Sequence, residues 1–330
     1  MTDHPADTSA QRRQAMLVTA FCPVVRAALQ NDATLEVMTN PDGSVWIEEA
    51  GRGLFQTGHV LSEGDRERVI RLIASGLGGP ASQTSAIVSA ELPGTGERFE
   101  GVLPPVSAAP CYAIRKLART PFTLADYVRQ GALSPALAEE LKGLVAERAN
   151  IVIAGGTSSG KTSLANALLG EGGFYGERIV LLEDTRELTC PAANLVALRT
   201  QGACVTLRDL VRSTLRLRPD RILVGEVRGA EALDLLKAWN TGHPGGITTL
   251  HANSASGALR RLEQLTAEAT REPPRELIGE AVDAVVFMSR TGGARRVDEA
   301  LRVTGFDGRH YVTEPLSGAK PTLVRQGDMT

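Results

Sequence analysis

The feature that most constrains this chain is an octapeptide, Gly155, Gly156, Thr157, Ser158, Ser159, Gly160, Lys161 and Thr162. It matches GxxxxGK[ST] in full, and its surroundings match as well. An apolar run at 151–154 precedes it, and a helix-forming stretch opened by Ser163 follows it. A strand, a glycine-rich turn and a helix in that order fold as one unit of a parallel sheet. Glycines let the backbone wrap a phosphate chain with successive N–H groups pointing inward. The helix N-terminus adds partial positive charge. Lys161 is expected to reach the β and γ oxygens of a nucleoside triphosphate, and the Thr162 hydroxyl to ligate Mg2+. With Ser163, these residues form the expected nucleotide-binding set. No NKxD-type guanine-reading motif occurs, which favours ATP.

The flanking sequence supports an α/β fold. Apolar runs at 151–154, 179–182, 222–224, 247–250 and 282–288 alternate with helical segments. Continuous apolar runs at crossover spacing are the pattern of parallel strands buried on both faces. A helix is predicted from 135, with Ser134 as N-cap, Pro135 at its first position and Leu137, Leu141, Leu144 and Val145 along one stripe. This region, 135–315, reads as a P-loop domain. Upstream, 34–49 holds two strand-like runs around the turn Asn40, Pro41, Asp42, Gly43. A helix with Val69, Ile70, Leu72 and Ile73 on its apolar face and a strand over 97–105 complete a small α+β domain, 16–108. Residues 109–134 read as a linker in which 111–116 also has strand character. The polar ends, 1–15 and 316–330, read as a disordered N-terminus and a flexible tail. Two domains suit 330 residues.

Composition excludes other classes. Hydrophobic residues make up 42% and charged residues 22%, so the chain is not wholly disordered. A net charge of −2 gives no overall attraction to nucleic acid or anionic lipid. With 4% aromatics, a channel of stacking platforms for single-stranded DNA is disfavoured, and no sequence-specific nucleic-acid binding is expected. The polar start and the lack of a run of roughly 18–20 apolar residues predict a cytoplasmic chain. Cys22, Cys111, Cys190 and Cys204 form no CxxC pair, which argues for reduced thiols and against a zinc site.

A phosphate loop needs carboxylates on neighbouring strand ends. Glu183 and Asp184 end the apolar run at 179–182. Glu226 follows the run at 222–224 after Gly225, where the generic pattern has an aspartate. Both lie at carboxyl ends of strands, the ligand side of open α/β sheets. Spacing does not divide the roles. The working assignment makes Glu183 the base and Glu226 the metal-side acid, acting on Mg2+ through water. For Glu187, helix capping stands level with a catalytic role. Two histidines, His243 and His251, bracket Gly245, Gly246 and the apolar run at 247–250. His251 is read as a sensor of the γ-phosphate, proton transfer being the alternative; His243 has the weaker claim.

Four motifs stand in one order: GGTSSGKT, LLEDTREL, LRLRPDRILVGEVRGAE and TGHPGGITTLHANS. The chain resembles the type II/IV secretion traffic ATPases, whose Walker A, Asp box, Walker B and His box run in that sequence. It is most similar to the conjugative-transfer branch of type IV secretion systems. It lacks the tetracysteine zinc insert of type II assembly ATPases. The resemblance covers about residues 30–310. It implies a RecA-like ATPase domain behind a small α+β domain, a homohexameric ring, and ATP with Mg2+ held between the domains. It further implies a motor at the cytoplasmic face of the inner membrane. There the motor works with other secretion components in pilus biogenesis or the transfer of DNA or protein. A pilus assembly or retraction motor of the same superfamily is the alternative, and a DNA-translocating ATPase a more distant one. Carried over by motif, Lys161, Glu183, Glu226 and His251 complete the catalytic site. Arg228 either stabilises its loop or meets nucleotide. An arginine from the linker side, Arg115 or alternatively Arg119, reaches the phosphates.

Overall fold

The computed structural model describes residues 16–17, 19–76, 85–116, 122–172, 174–201, 204–291 and 294–317, in two units that meet in sequence at 120–121. The polar N-terminus 1–15 and most of the tail lie outside the described residues.

The N-terminal unit runs α1 (Pro23–Gln30), β1 (Thr34–Thr39), β2 (Ser44–Glu49), β3 (Gly53–Val60), α2 (Glu63–Gly76), β4 (Ile87–Glu91), β5 (Arg98–Val102) and β6 (Cys111–Arg115). Its sheet has the order β3-β2-β1-β6-β5-β4, all pairs antiparallel. The expected turn joins β1 to β2. Gly43 sits at φ 86°, and a Cβ there would lie 2.5 Å from the Leu61 carbonyl oxygen, so only glycine fits. Val37, Val45, Phe99 and Ile114 from the sheet meet Val69, Ile70 and Ile73 of α2 in one core. The stretch expected as linker is divided. Its residues 111–115 form β6, a central strand between β1 and β5. The alternation of buried Tyr112 and Ile114 with more exposed neighbours is what seats it there.

The C-terminal unit runs α3 (Leu124–Arg129), α4 (Pro135–Ala146), β7 (Ile151–Gly155), α5 (Lys161–Leu169), β8 (Arg178–Glu183), β9 (Asn194–Arg199), α6 (Leu207–Thr214), β10 (Arg221–Val224), α7 (Glu231–Asn240), β11 (Ile247–Leu250), α8 (Ala255–Ala267), α9 (Arg275–Ala281), β12 (Ala284–Thr291), β13 (Ala294–Phe306) and β14 (Tyr311–Pro315). Helix α4 begins as its caps require: Ser134 Oγ accepts from Leu137 N at 3.1 Å, a cap contributing about 1 kcal/mol. The sheet order is β14-β13-β12-β7-β11-β10-β8-β9. From β12 to β9 every pair is parallel. Ile151 and Ile153 of β7 pack toward Leu141, Leu144 and Leu164, while Val152 and Ala154 pack toward Leu235, Leu259 and Leu262. Helices therefore cover both faces, which explains the unbroken apolar runs. The architecture is α/β and RecA-like, behind a small α+β unit.

Two departures from the expected pattern are instructive. β9 is mostly exposed although it carries the short apolar run 195–198, because it is an edge strand of the sheet. β13 and β14 extend the parallel sheet with antiparallel strands whose alternating, charged sequence signals one solvated face. Leu316, placed by sequence in the tail, is buried, and its N–H donates to the Ala300 carbonyl at 2.9 Å.

Candidate nucleotide-binding site

Strands β7, β11, β10 and β8 are neighbours in that order and parallel, so their carboxyl ends share one edge. β7 ends in the glycine-rich loop, β11 leads into His251, β10 into Gly225 and Glu226, and β8 ends in Glu183. Motifs up to a hundred residues apart in sequence are thereby aligned.

The loop needs its glycines. A Cβ on Gly155 would lie 2.4 Å from Ser159 Oγ and 2.5 Å from the Met288 carbonyl oxygen. Gly160 adopts φ 99° and Ser158 φ 59°, which turns the chain into α5. Gly156 and Thr157 are exposed, whereas Ser159 is buried. Ser163, one residue into the helix from Thr162, faces the Tyr127 hydroxyl. Lys161 is 8% exposed; its Nζ donates to the Gly155 and Gly156 carbonyls at 3.1 and 3.0 Å.

Lys161 Nζ also lies 3.4 Å from His251 Nδ1. Burial, and next the Lys161 charge, hold the imidazole below the usual histidine pKa, against the pull of Glu226. Since Nδ1 faces an ammonium, we assign the ring proton to Nε2. Nε2 sits 2.9 Å from Glu226 Oε1, within ion-pair distance but not aligned as a hydrogen bond. Glu226 Oε2 accepts from Arg228 Nε at 2.8 Å and also from its Nη2. Arg228 Nη1 is 3.8 Å from Asp184. Arg228 thus braces the carboxylates of this edge. Lys161, His251 and Glu226 form a chain from loop to strand end.

Glu183 is buried, and burial raises its pKa despite two N–H donors. Its Oε1 accepts from the Glu187 and Leu188 amides at 2.9 and 2.7 Å. Gly225 passes close by: a Cβ there would come 3.1 Å from Glu183 Cγ, which accounts for Gly before Glu226. Glu187 caps no helix, since the segment after β8 runs as loop to β9. Instead its Oε2 accepts from Thr162 Oγ1 at 3.0 Å. The only sequence signal for this contact is an acid four residues beyond a strand end.

One expected residue stands elsewhere. His243 Nδ1 lies 2.8 Å from the Pro219 carbonyl, ahead of β10, at the opposite end of the sheet from His251. Arg115 ends β6 in the N-terminal unit, exposed and in register with Glu36 and Arg98. Arg119 is outside the described residues.

Among the described residues no group of three or more His, Cys, Asp or Glu could hold a metal ion. Mg2+ takes one or two protein oxygens, waters and substrate phosphates rather than a protein cage. Thr162 Oγ1, with a carboxylate behind it, fits that role.

The type II/IV secretion system protein family matches residues 23–293. The chain belongs to this family. Among its relatives, conjugal transfer protein TrbB of Rhizobium radiobacter is 48% identical over 289 residues, 87% of this chain and 89% of that protein. A probable conjugal transfer protein TrbB of Sinorhizobium fredii is also 48% identical over 289 residues, 87% and 88% of the two chains. The X-ray structure of the Legionella pneumophila ATPase DotB superposes with a TM-score of 0.61 at 22% identity, over 86% of this chain and 81% of that one, a likeness of fold. The resemblance expected from the four ordered motifs therefore holds, including its lean toward conjugal transfer. No helix among the described residues is long and apolar enough to cross a membrane.

Proposed function

We propose that this secretion-family protein hydrolyses ATP with Mg2+ and works as a motor of a type IV secretion or conjugative-transfer system. The observation that carries the reading is one sheet edge that sets a phosphate loop beside Lys161, His251, Glu226 and Glu183. Backbone amides of the loop and the α5 N-terminus cradle the phosphates, and Lys161 moves from the loop carbonyls to the β and γ oxygens. Bound Mg2+ would neutralise developing phosphate charge, held on the protein side by Thr162. Glu183, already raised in pKa, orients and deprotonates the attacking water. Glu226 acts on the metal side through water, and His251 links it to Lys161, so nucleotide state reaches two strand ends at once. By family resemblance, Arg115 completes the phosphate site and the chain assembles as a homohexamer. The same resemblance puts the ring at the cytoplasmic face of the inner membrane, with other components of the transfer machinery.

The decisive experiment is phosphate release from ATP with Mg2+, using Lys161→Ala as control. Turnover in the wild type and none in the variant supports the reading; equal turnover in both refutes it. Native mass measurement with a non-hydrolysable ATP analogue tests the ring.

A further inference from the structure

We propose that Glu187 is the positioning carboxylate for Mg2+, acting through Thr162. This rests on the ATP·Mg2+ reading above. In a phosphate loop the threonine hydroxyl offers lone pairs to the cation, and it does so best when its proton is directed at an acceptor behind it. Here that acceptor is Glu187 Oε2, 3.0 Å from Thr162 Oγ1. Donation to a carboxylate fixes the threonine rotamer and makes its oxygen a better ligand.

The neighbouring acids are engaged differently. Glu226 Oε2 is taken by Arg228, and its Oε1 faces His251. Glu183 Oε1 receives the Glu187 and Leu188 amides. Glu187 itself is held by the helix that carries Thr162: Asn166 Nδ2 donates to the Glu187 carbonyl at 3.0 Å, and Asn166 Oδ1 accepts from Thr189 N at 2.8 Å. Its backbone is therefore held from α5 on one side and from β8 on the other. Such support is what a positioning group needs to keep an oxygen within a few tenths of an ångström of its place. Glu187 thus fixes the threonine ligand, a role separate from that of Glu226 on the metal side.

The test titrates Mg2+ against binding of a fluorescent non-hydrolysable ATP analogue, with a parallel measurement in EDTA. Glu187→Ala is expected to raise the half-saturating Mg2+ concentration about 10–100-fold while affinity in EDTA stays at the wild-type value. Glu187→Gln keeps an acceptor oxygen but loses the charge, and its Mg2+ requirement should fall between the two. In a Thr162→Ala background, Glu187→Ala should add no further shift. An unchanged Mg2+ requirement overturns the proposal. So does an equal loss of affinity in EDTA, which would mark Glu187 as a loop brace, or a full shift in the Thr162→Ala background. If Glu187→Ala does not fold, the isosteric Glu187→Gln decides by the same criterion. Wild-type protein that binds no nucleotide at any Mg2+ concentration would instead sink the reading on which this one rests.

Discussion

His243 and His251 stand at opposite ends of β11, and the two sheet edges they mark are built on different terms. At the amino edge, buried polar groups satisfy one another. Arg221, 1% exposed, donates from Nε to Glu177 Oε2 at 2.5 Å and from Nη1 to the Val145 carbonyl at 2.8 Å. Its guanidinium lies 5.0 Å from the Phe174 ring centroid. Asn150 Oδ1 accepts from Gly245 N and Gly246 N, and its Nδ2 donates to the Ala281 carbonyl. At the carboxyl edge, the polar groups are held less completely. Neither Glu226 Oε1 nor Ser159 Oγ has a hydrogen-bond partner among the described residues. A buried polar group that is fully paired stabilises a fold; one left partly paired is available to a ligand.

Substitutions at the two edges should therefore fail in different ways. Lys161→Ala should reduce phosphate release to background, at least about 100-fold, with the melting temperature nearly unchanged. A large fall in melting temperature instead would erase the contrast. Arg221→Leu should do the reverse. It leaves Glu177 buried beside only the half-exposed Arg148, at a cost of about 3–5 kcal/mol in denaturant unfolding. Turnover per folded molecule should persist, and its loss would mean that the amino edge reaches the chemistry.

The histidines sharpen the same contrast. His251→Asn should slow turnover, though less than Lys161→Ala does. His243→Asn should leave turnover alone and cost about 1 kcal/mol for one hydrogen bond. Steady-state kinetics and melting curves on the pair would check this, and a swap of the two phenotypes would overturn the division.

The smallest effects are in pH. His251 has a lowered folded-state pKa, so its folded environment resists protonation. The stability it contributes at neutral pH is lost as pH falls from about 6.5, the ordinary histidine value, through the lowered folded-state value. Glu183 has the opposite sign. Its raised pKa means that the folded protein holds the proton more tightly, so its ionisation disfavours folding above the ordinary glutamate value of about 4.3. Turnover should accordingly fade on the acid side at a higher pH than an unperturbed glutamate would give. The measurement is a pH–rate profile of kcat, together with unfolding curves of Glu183→Gln, which should be flatter than wild type on the acid side.

Much of the site is legible in sequence because its signals are local. The phosphate loop depends on close packing at Gly155 and on positive φ at Ser158 and Gly160, which short-range composition encodes. Glu183, Glu226 and His251 are found because each directly follows or closes a buried apolar run. Glu187 is not found in its role, because its partner is a hydroxyl 25 residues away and the acid four places after a strand looks like a cap. Similarly, β13 leaves little trace, since a half-solvated strand mixes polar and apolar residues.

Sequence alone determined the alternation of buried strands and helices, the order of the four motifs and hence the family, because periodicity and turn chemistry act over a few residues. The tertiary structure decided which strands are neighbours, and therefore that His251 falls between Lys161 and Glu226 while His243 is carried to the far edge. It also decided which acid meets Thr162. Those outcomes depend on hydrogen bonding between segments distant in the chain, and no local pattern records which partner a strand or a carboxylate will take.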